Sequence, residues 1–159
     1  MNPAPSRKSG TQKSIPPRPV VELHNRTRIP VPEARLRSYA ARIMALIPQT
    51  RFASVDITFV GERSIRSLNA QYRGKDKTTD VLSFRLDDEP APGEPFGAVV
   101  ICTRYARDQA AAEGMPLVQM CEELILHSLL HLTGSDHESD SDHKAMEKRK
   151  ARILRQLKS

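Results

Sequence analysis

Apolar and polar positions along this chain repeat with two different periods, and each period predicts its own kind of element. Val55, Ile57 and Phe59 alternate with polar residues, which is typical of a strand with one buried face. Between residues 36 and 47 the apolar positions instead recur every three or four residues, and Pro48 follows. That spacing predicts a helix with one buried face that ends at the proline.

The whole pattern predicts the element order β-α-β-α-β-β-α-α-α. A continuous apolar run over residues 98–102 is typical of a strand covered on both faces, whereas the acidic, proline-rich residues 87–95 predict a loop. A short helix through Ile65 and Leu68 is predicted to end before Tyr72. This order predicts a single-domain α+β fold, in which a small mixed β-sheet of about four strands is packed by about five helices. The remaining elements are predicted at 20–24, 32–47, 55–59, 81–86, 103–113, 116–132 and 140–157.

Composition divides the chain into a tail and one domain. The chain has 159 residues, the size of one ordinary domain. Residues 1–18 are rich in proline, serine and basic residues and are predicted to be a disordered basic tail, which leaves residues 19–159 as the functional domain. The net charge is +6, but the first 19 residues carry four basic residues and no acids, so the rest has 21 basic against 19 acidic residues, or +2. This balance permits a nucleic-acid partner without demonstrating one.

Membrane insertion and secretion have no signal in this sequence. No apolar run approaches the roughly 20 residues that a membrane-spanning helix needs. No apolar segment follows the basic residues of the tail, which argues against a signal peptide and favours a cytoplasmic protein. Cys102 and Cys121 match no metal or redox spacing and are predicted to be buried free thiols in a reducing compartment.

Three of the five histidines lie within eleven residues and form the main chemical signal. His127 and His131 are four residues apart on a predicted helix, so they project from one face about one turn apart. Gly134 is predicted to end that helix in a left-handed conformation, after which His137 arrives as a third ligand. Three protein ligands and one open position are typical of catalytic zinc sites, so these three histidines are the predicted metal ligands.

The residue after the first histidine separates two kinds of metal chemistry. The same histidine spacing occurs in metalloproteases whose signature has glutamate directly after the first histidine. That glutamate is the general base of peptide hydrolysis, and Ser128 at this position has no suitable pKa for the task. Ordinary chemistry of that protease class is therefore disfavoured. Glu123, one turn before His127, is the nearest other candidate for a base.

With these segments in view, the chain resembles the YbeY family of bacterial endoribonucleases that mature ribosomal RNA. The resemblance spans roughly residues 20–157 and is carried by residues 69–84 (NAQYRGKDKTTDVLSF) and residues 127–137 (HSLLHLTGSDH). Met146 and Glu147 in the last predicted helix are also similar to the family pattern. Taken together, the two segments are highly specific for this family.

Two positions depart from the family pattern. Gly97 is followed by Ala98, where the family usually has aspartate. Ser135 stands where many members have tyrosine. The first departure removes an acidic side chain, so no role in the site is assigned to position 98.

The resemblance implies a function as well as a site. It implies that His127, His131 and His137 bind one Zn²⁺ ion and that Arg73 is the functional arginine beside it. It also implies metal-dependent cleavage of single-stranded RNA, with roles in 16S rRNA 3′-end maturation and ribosome quality control. The implied partners are rRNA and the ribosome or its proteins.

Elementary chemistry is compatible with that activity. A zinc ion can accept a phosphate oxygen as a Lewis acid, and the planar guanidinium of Arg73 matches a phosphate group. RNA carries its own nucleophile, the 2′-hydroxyl, so a missing glutamate matters less than it does for a peptide substrate. Lys75 and Lys77 extend Arg73 into a local basic patch that can position an RNA backbone.

Two other functions are compatible with the same residues. The first is a metal-dependent peptidase related in motif to metzincins, with Glu123 as its base. The second is a non-catalytic ribosome assembly factor whose zinc is structural and fully ligated by protein. Three imidazoles also suit nickel, cobalt or copper, so zinc is an expectation.

Overall fold

The computed structural model describes residues 18–134 and 140–159. Within those residues, four strands and five helices follow each other in the order that the sequence predicts. The strands are β1 (Val20–Asn25), β2 (Ser54–Val60), β3 (Val81–Arg85) and β4 (Pro95–Cys102). The helices are α1 (Glu33–Leu46), α2 (Glu62–Arg73), α3 (Thr103–Glu113), α4 (Leu117–Thr133) and α5 (Asp140–Lys158). The predicted tail lies outside the described residues apart from its last position, so its boundary stays a prediction.

The four strands form one mixed sheet in the spatial order β1-β2-β4-β3. β1, β2 and β4 run parallel, and β3 pairs antiparallel with β4 at one edge. α1 makes the crossover that the parallel pair β1 and β2 requires. The predicted α+β fold with a small mixed sheet of four strands and five helices is thus confirmed.

Both faces of the sheet are covered, but unequally. The main core lies between one face and helices α1, α3, α4 and α5, and it buries Ile57 and Phe59 of β2 completely. α2 covers the opposite face near β3 and β4, where Ile65 packs with Leu82. β4 therefore lies between two layers, as its continuous apolar run predicts.

Two element boundaries differ from the prediction by more than one residue. β4 begins at Pro95 instead of residue 98, because Phe96 is buried and its carbonyl accepts a hydrogen bond from the Leu86 amide at 2.9 Å. α2 continues through Arg73 instead of ending before Tyr72. Gly74, the residue after Arg73, adopts the left-handed conformation with φ 67°, and this conformation ends the helix.

The two cysteines are buried and unpaired, as the sequence predicts. Cys102 ends β4, and burial raises the pKa of its thiol. Cys121 lies in α4, where burial raises the pKa of the thiol to about 11. Both thiols are therefore protonated and unreactive at neutral pH. Among the described residues, no membrane-spanning helix is found.

Candidate metal centre

His127 and His131 lie on the exposed stripe of a helix that is otherwise buried. Most of α4 is apolar and packs into the main core. Gln119, Glu123, His127 and His131 follow each other at four-residue intervals, and each of them is exposed or half-buried. The helical period therefore places both histidines on the side of α4 that faces away from the core.

The two imidazole rings are close enough to share one ion. Their centroids are 5.5 Å apart and the rings are tilted by 51°. A zinc ion about 2.05 Å from a ring nitrogen lies roughly 3.2 Å from the ring centroid, so two ligands at a tetrahedral angle have centroids about 5 Å apart. The observed pair fits that arrangement.

The third predicted ligand, His137, lies outside the described residues. Within the described part of the chain, no group of three or more histidine, cysteine, aspartate or glutamate side chains is arranged to hold a metal ion. The structure thus brings together His127 and His131, and the ligand roles of all three histidines stay a prediction.

Arg85 binds the helix end next to His131. Its guanidinium, at the end of β3, donates hydrogen bonds to the carbonyl oxygens of Leu132 and Gly134. Gly134 has φ −113° and ψ 173°, so the predicted left-handed helix end is wrong. These carbonyls accept hydrogen bonds from a cationic side chain instead of from the backbone amides of a left-handed turn. A cation is favourable at the C-terminus of a helix. A glycine still fits best here, because a Cβ would lie 3.0 Å from the Leu130 carbonyl oxygen.

Thr133 links the same helix end to two further segments. Its hydroxyl donates to the Leu129 carbonyl at 2.9 Å and accepts from Arg149 of α5 at 3.0 Å. Its own carbonyl accepts from the Gln49 side chain at 3.5 Å. Burial, helped by the like charge of Arg152, lowers the pKa of Arg149, which still remains charged at neutral pH. The last turn of α4 is therefore fixed from several sides.

Gly97 allows α4 to lie directly against the sheet. A Cβ at this position would lie 2.8 Å from the Phe84 carbonyl oxygen and 2.9 Å from Leu132 Cδ1. No side chain larger than hydrogen fits there without movement of the strand or the helix. Ala98 is half-buried and lies on the opposite side of the sheet, because successive side chains of a strand alternate.

Arg73 is the last residue of α2, and its side chain is exposed. The neighbouring Tyr72 packs edge-on against Phe84 of β3, with ring centroids 5.1 Å apart. The Gly74 amide donates to the Ala70 carbonyl at 3.1 Å and closes the helix. α2, which ends with Arg73, and α4, which contains the two histidines, both pack against the edge strand β3.

The loop after α2 is held in place by polar side chains. Asn69 donates to the Lys77 carbonyl at 2.9 Å, and Arg66 makes two hydrogen bonds to Asp76, at 2.8 and 3.2 Å. The hydrogen bond from Arg66 holds the pKa of Asp76 below its ordinary value. Three cations, Arg73, Lys75 and Lys77, lie at the end of α2 and in the loop that follows, and we call them the basic loop. Among the described residues, no carboxylate lies within 4.0 Å of any of the three.

Ser128 lies on the buried side of α4. It is 1% exposed, and its hydroxyl has no hydrogen-bond partner among the residues that the structure describes. A serine enclosed in this way does not serve as a base for an exposed substrate. Glu123 is exposed one turn before His127, so the base required by the peptidase alternative is on the same stripe.

Sequence reasoning missed Arg85, Gly97 and Arg149. Arg85 lies 47 residues from the carbonyl of Leu132 that it binds, and no local pattern signals such a contact. The glycine before Ala98 is visible in the sequence, but only the packing of Leu132 explains it.

Together, fold and site define a small α+β protein in which an edge strand contacts both a histidine-bearing helix and the helix that ends in a basic loop. The family model described as Endoribonuclease YbeY matches residues 22–158. The chain therefore belongs to the YbeY family.

Several curated proteins named Endoribonuclease YbeY are similar to this chain. One from Anaeromyxobacter sp. is 40% identical over 121 residues, which cover 76% of this chain and 62% of that protein, less than two thirds of its length. One from Chromobacterium violaceum is 40% identical over 71% of this chain and 68% of its own. One from Chromohalobacter salexigens is 34% identical over 84% and 88% of the two chains.

A solved structure supports the fold. The solution structure of TM1509 from Thermotoga maritima matches with a TM-score of 0.54 and 23% identity. The match covers 87% of this chain and 92% of that one. At this identity the likeness concerns the fold alone.

Proposed function

We propose that this protein is a zinc-dependent endoribonuclease that cuts single-stranded RNA. The observation that carries the proposal is the pair His127 and His131 on the exposed stripe of α4, whose ring centroids are 5.5 Å apart, in a chain of the YbeY family. The activity in the names of the relatives supports the choice of RNA as substrate.

His127, His131 and His137 would hold the ion. Bound there, zinc would supply Lewis-acid stabilisation of the charge that develops on a phosphate group. His127 is exposed and His131 is half-buried on the outer side of α4, so a long polymer can approach both rings.

The basic loop would hold the phosphate. The guanidinium of Arg73 can donate two parallel hydrogen bonds to phosphate oxygens and offset their growing charge. Lys75 and Lys77 would contact neighbouring phosphates without reading the sequence. Asn69 already holds this loop through the Lys77 carbonyl, so little reorganisation is needed when RNA binds.

The proposed biological task is maturation of the 16S rRNA 3′ end and ribosome quality control in the bacterial cytoplasm. The proposed partners are rRNA and the ribosome or its proteins. Membership of the YbeY family supports this assignment.

The test is cleavage of an rRNA fragment that has a single-stranded 3′ extension. Purified wild type is compared with His131→Ala and Arg73→Ala. The matched controls are His24→Ala and Arg37→Ala, which change exposed residues of β1 and α1. We expect cleavage to fall at least 100-fold in the first two variants and to be unchanged in the controls. Metal content should fall only in His131→Ala.

Three outcomes separate the proposal from its rivals. Cleavage of unfolded protein, lost in Glu123→Gln, would establish the peptidase instead. Ribosome binding with no RNA cleavage by the zinc-loaded wild type would establish the assembly factor. Equal RNA cleavage by wild type, His131→Ala and Arg73→Ala would show that the activity does not arise from this site.

A further inference from the structure

A second basic site lies at the far end of α2 from Arg73. A cavity of about 480 Å³ opens between the turn that follows β1 and the start of α2. Arg26, Arg63, Ser64 and Ser67 are among its lining residues. It lies beyond the carboxyl ends of the parallel strands β1 and β2, the edge at which open α/β sheets bind ligands. Two guanidinium groups and two hydroxyls are suitable donors for a phosphate group.

The turn that carries Arg26 is held by hydrogen bonds to β2 and to the side chain of Asn25. The Arg26 amide donates to the Phe59 carbonyl of β2 at 3.0 Å. Asn25 accepts from the Thr27 amide at 3.0 Å and donates to the Ile29 carbonyl at 2.9 Å. The position of this cavity wall is therefore set before any ligand arrives.

The charges around the cavity are unbalanced. Glu62 is the nearest acid along α2, and its carboxylate forms an ion pair with the Arg104 guanidinium, with Nε and Oε1 3.8 Å apart. In the described part of the chain, neither Arg26 nor Arg63 has a carboxylate within 4.0 Å. The basic loop lies at the other end of α2. Each end of this helix therefore has a group of cations that form no ion pair with a carboxylate of the described residues.

The spacing of these groups suits a polymer. Arg63 and Arg73 are ten residues apart in α2, which corresponds to about 15 Å along the helix axis. A stacked strand advances by roughly 3.4 Å per nucleotide, so about four nucleotides bridge that distance. An RNA strand held at the basic loop therefore reaches the cavity.

We propose that the cavity lined by Arg26 and Arg63 binds an internal backbone phosphate of the RNA strand, about four nucleotides from the phosphate held at Arg73. This inference rests on the proposed function, since it assumes that RNA is the substrate. The cavity increases affinity for long single strands without contacting the bond that is cut.

The test measures binding of the zinc-loaded protein to a labelled, non-cleavable 12-nucleotide RNA by fluorescence anisotropy. Arg26→Gln and Arg63→Gln are compared with Arg37→Gln, which removes an exposed arginine of α1 on the other face of the sheet. We expect affinity to fall about threefold for each cavity variant at 0.15 M salt and to be unchanged in the control. The slope of log affinity against log salt should become less negative by about 0.7 for each variant.

RNA length and end chemistry distinguish the sources of phosphate. A three-nucleotide RNA held at the basic loop cannot reach the cavity, so its affinity should be the same in all variants. An effect confined to RNA with a 5′-phosphate would overturn the assignment to an internal phosphate. Equal 12-nucleotide binding by the cavity variants and Arg37→Gln would overturn the site itself.

Cleavage measured on the same proteins keeps this inference separate from the proposed function. If wild type binds RNA with the expected dependence on the cavity but does not cut it, the proposed activity fails and the cavity assignment stands. If wild type cuts RNA and all variants bind equally, the activity stands and the cavity assignment fails.

Discussion

Replacement of Gly97 by alanine should loosen the contact between α4 and the sheet. The new Cβ would lie 2.8 Å from the Phe84 carbonyl oxygen and 2.9 Å from Leu132 Cδ1. Ordinary contacts of a carbon atom are about 3.5–4.0 Å, so the two neighbours must move by roughly 0.6 Å or more. The carbonyl belongs to the paired backbone of β3, and Leu132 is 4% exposed in the main core, so neither yields freely.

Overpacking of this kind costs about 1–3 kcal/mol, and the lower entropy of the unfolded alanine chain offsets about 0.4–1 kcal/mol. We therefore expect Gly97→Ala to lower the free energy of unfolding by about 1–2 kcal/mol and the melting temperature by about 2–8 °C. Leu132 follows His131 directly, so the proposed affinity for zinc should fall about tenfold as well.

Urea unfolding and a zinc titration of Gly97→Ala check these values. Gly61→Ala is the matched control, because a Cβ at that position meets no atom within 4 Å and φ is −80°. Its stability should remain within about 1 kcal/mol of wild type. If Gly97→Ala unfolds at the same urea concentration as wild type with an unchanged m-value, close packing at Gly97 does not hold α4 in place.

Three further predictions concern other contacts. Arg85→Met removes the donor to the Leu132 and Gly134 carbonyls and should destabilise the protein by about 1–2 kcal/mol in urea unfolding, whereas equal stability would show that solvent replaces it. Burial raises the pKa of Cys121 to about 11, above about 8.5 in the unfolded chain, so its contribution to stability is present below pH 8.5 and is lost as pH rises towards 11. Urea midpoints at pH 7.5 and 10 should therefore differ more for wild type than for Cys121→Ala. Glu123→Gln should retain RNA cleavage within about threefold, and a 100-fold loss would give Glu123 a catalytic role.

The sequence predicts the order and type of the elements well because each element carries a local period. The alternation of Ile57 and Phe59 in β2 and the helical spacing of the apolar residues in α1 depend only on neighbouring residues. The ends of the elements follow less directly from local patterns. The start of β4 depends on pairing between Phe96 and Leu86 across a loop, a contact that no short pattern encodes.

In the candidate site too, local spacing predicts some features, whereas others depend on contacts between residues distant in sequence. The common face of His127 and His131 follows from their four-residue spacing on one helix. The conformation of Gly134 does not follow from spacing, because Arg85, distant in sequence, binds the helix end and leaves no left-handed turn. The cavity near Arg26 and Arg63 is equally invisible in the sequence, since the strand ends that bring them together are paired only in the fold.

In the proposed function, RNA cleavage requires a metal ion held by His127 and His131. The most direct measurement removes metal from the full chain with a chelator and then adds zinc back in steps, while cleavage of the rRNA fragment is followed. We expect no cleavage by the metal-free protein, full recovery at one zinc ion per chain, and no recovery in His131→Ala. Cleavage by the metal-free wild type at the original rate, or equal recovery in His131→Ala, would contradict it.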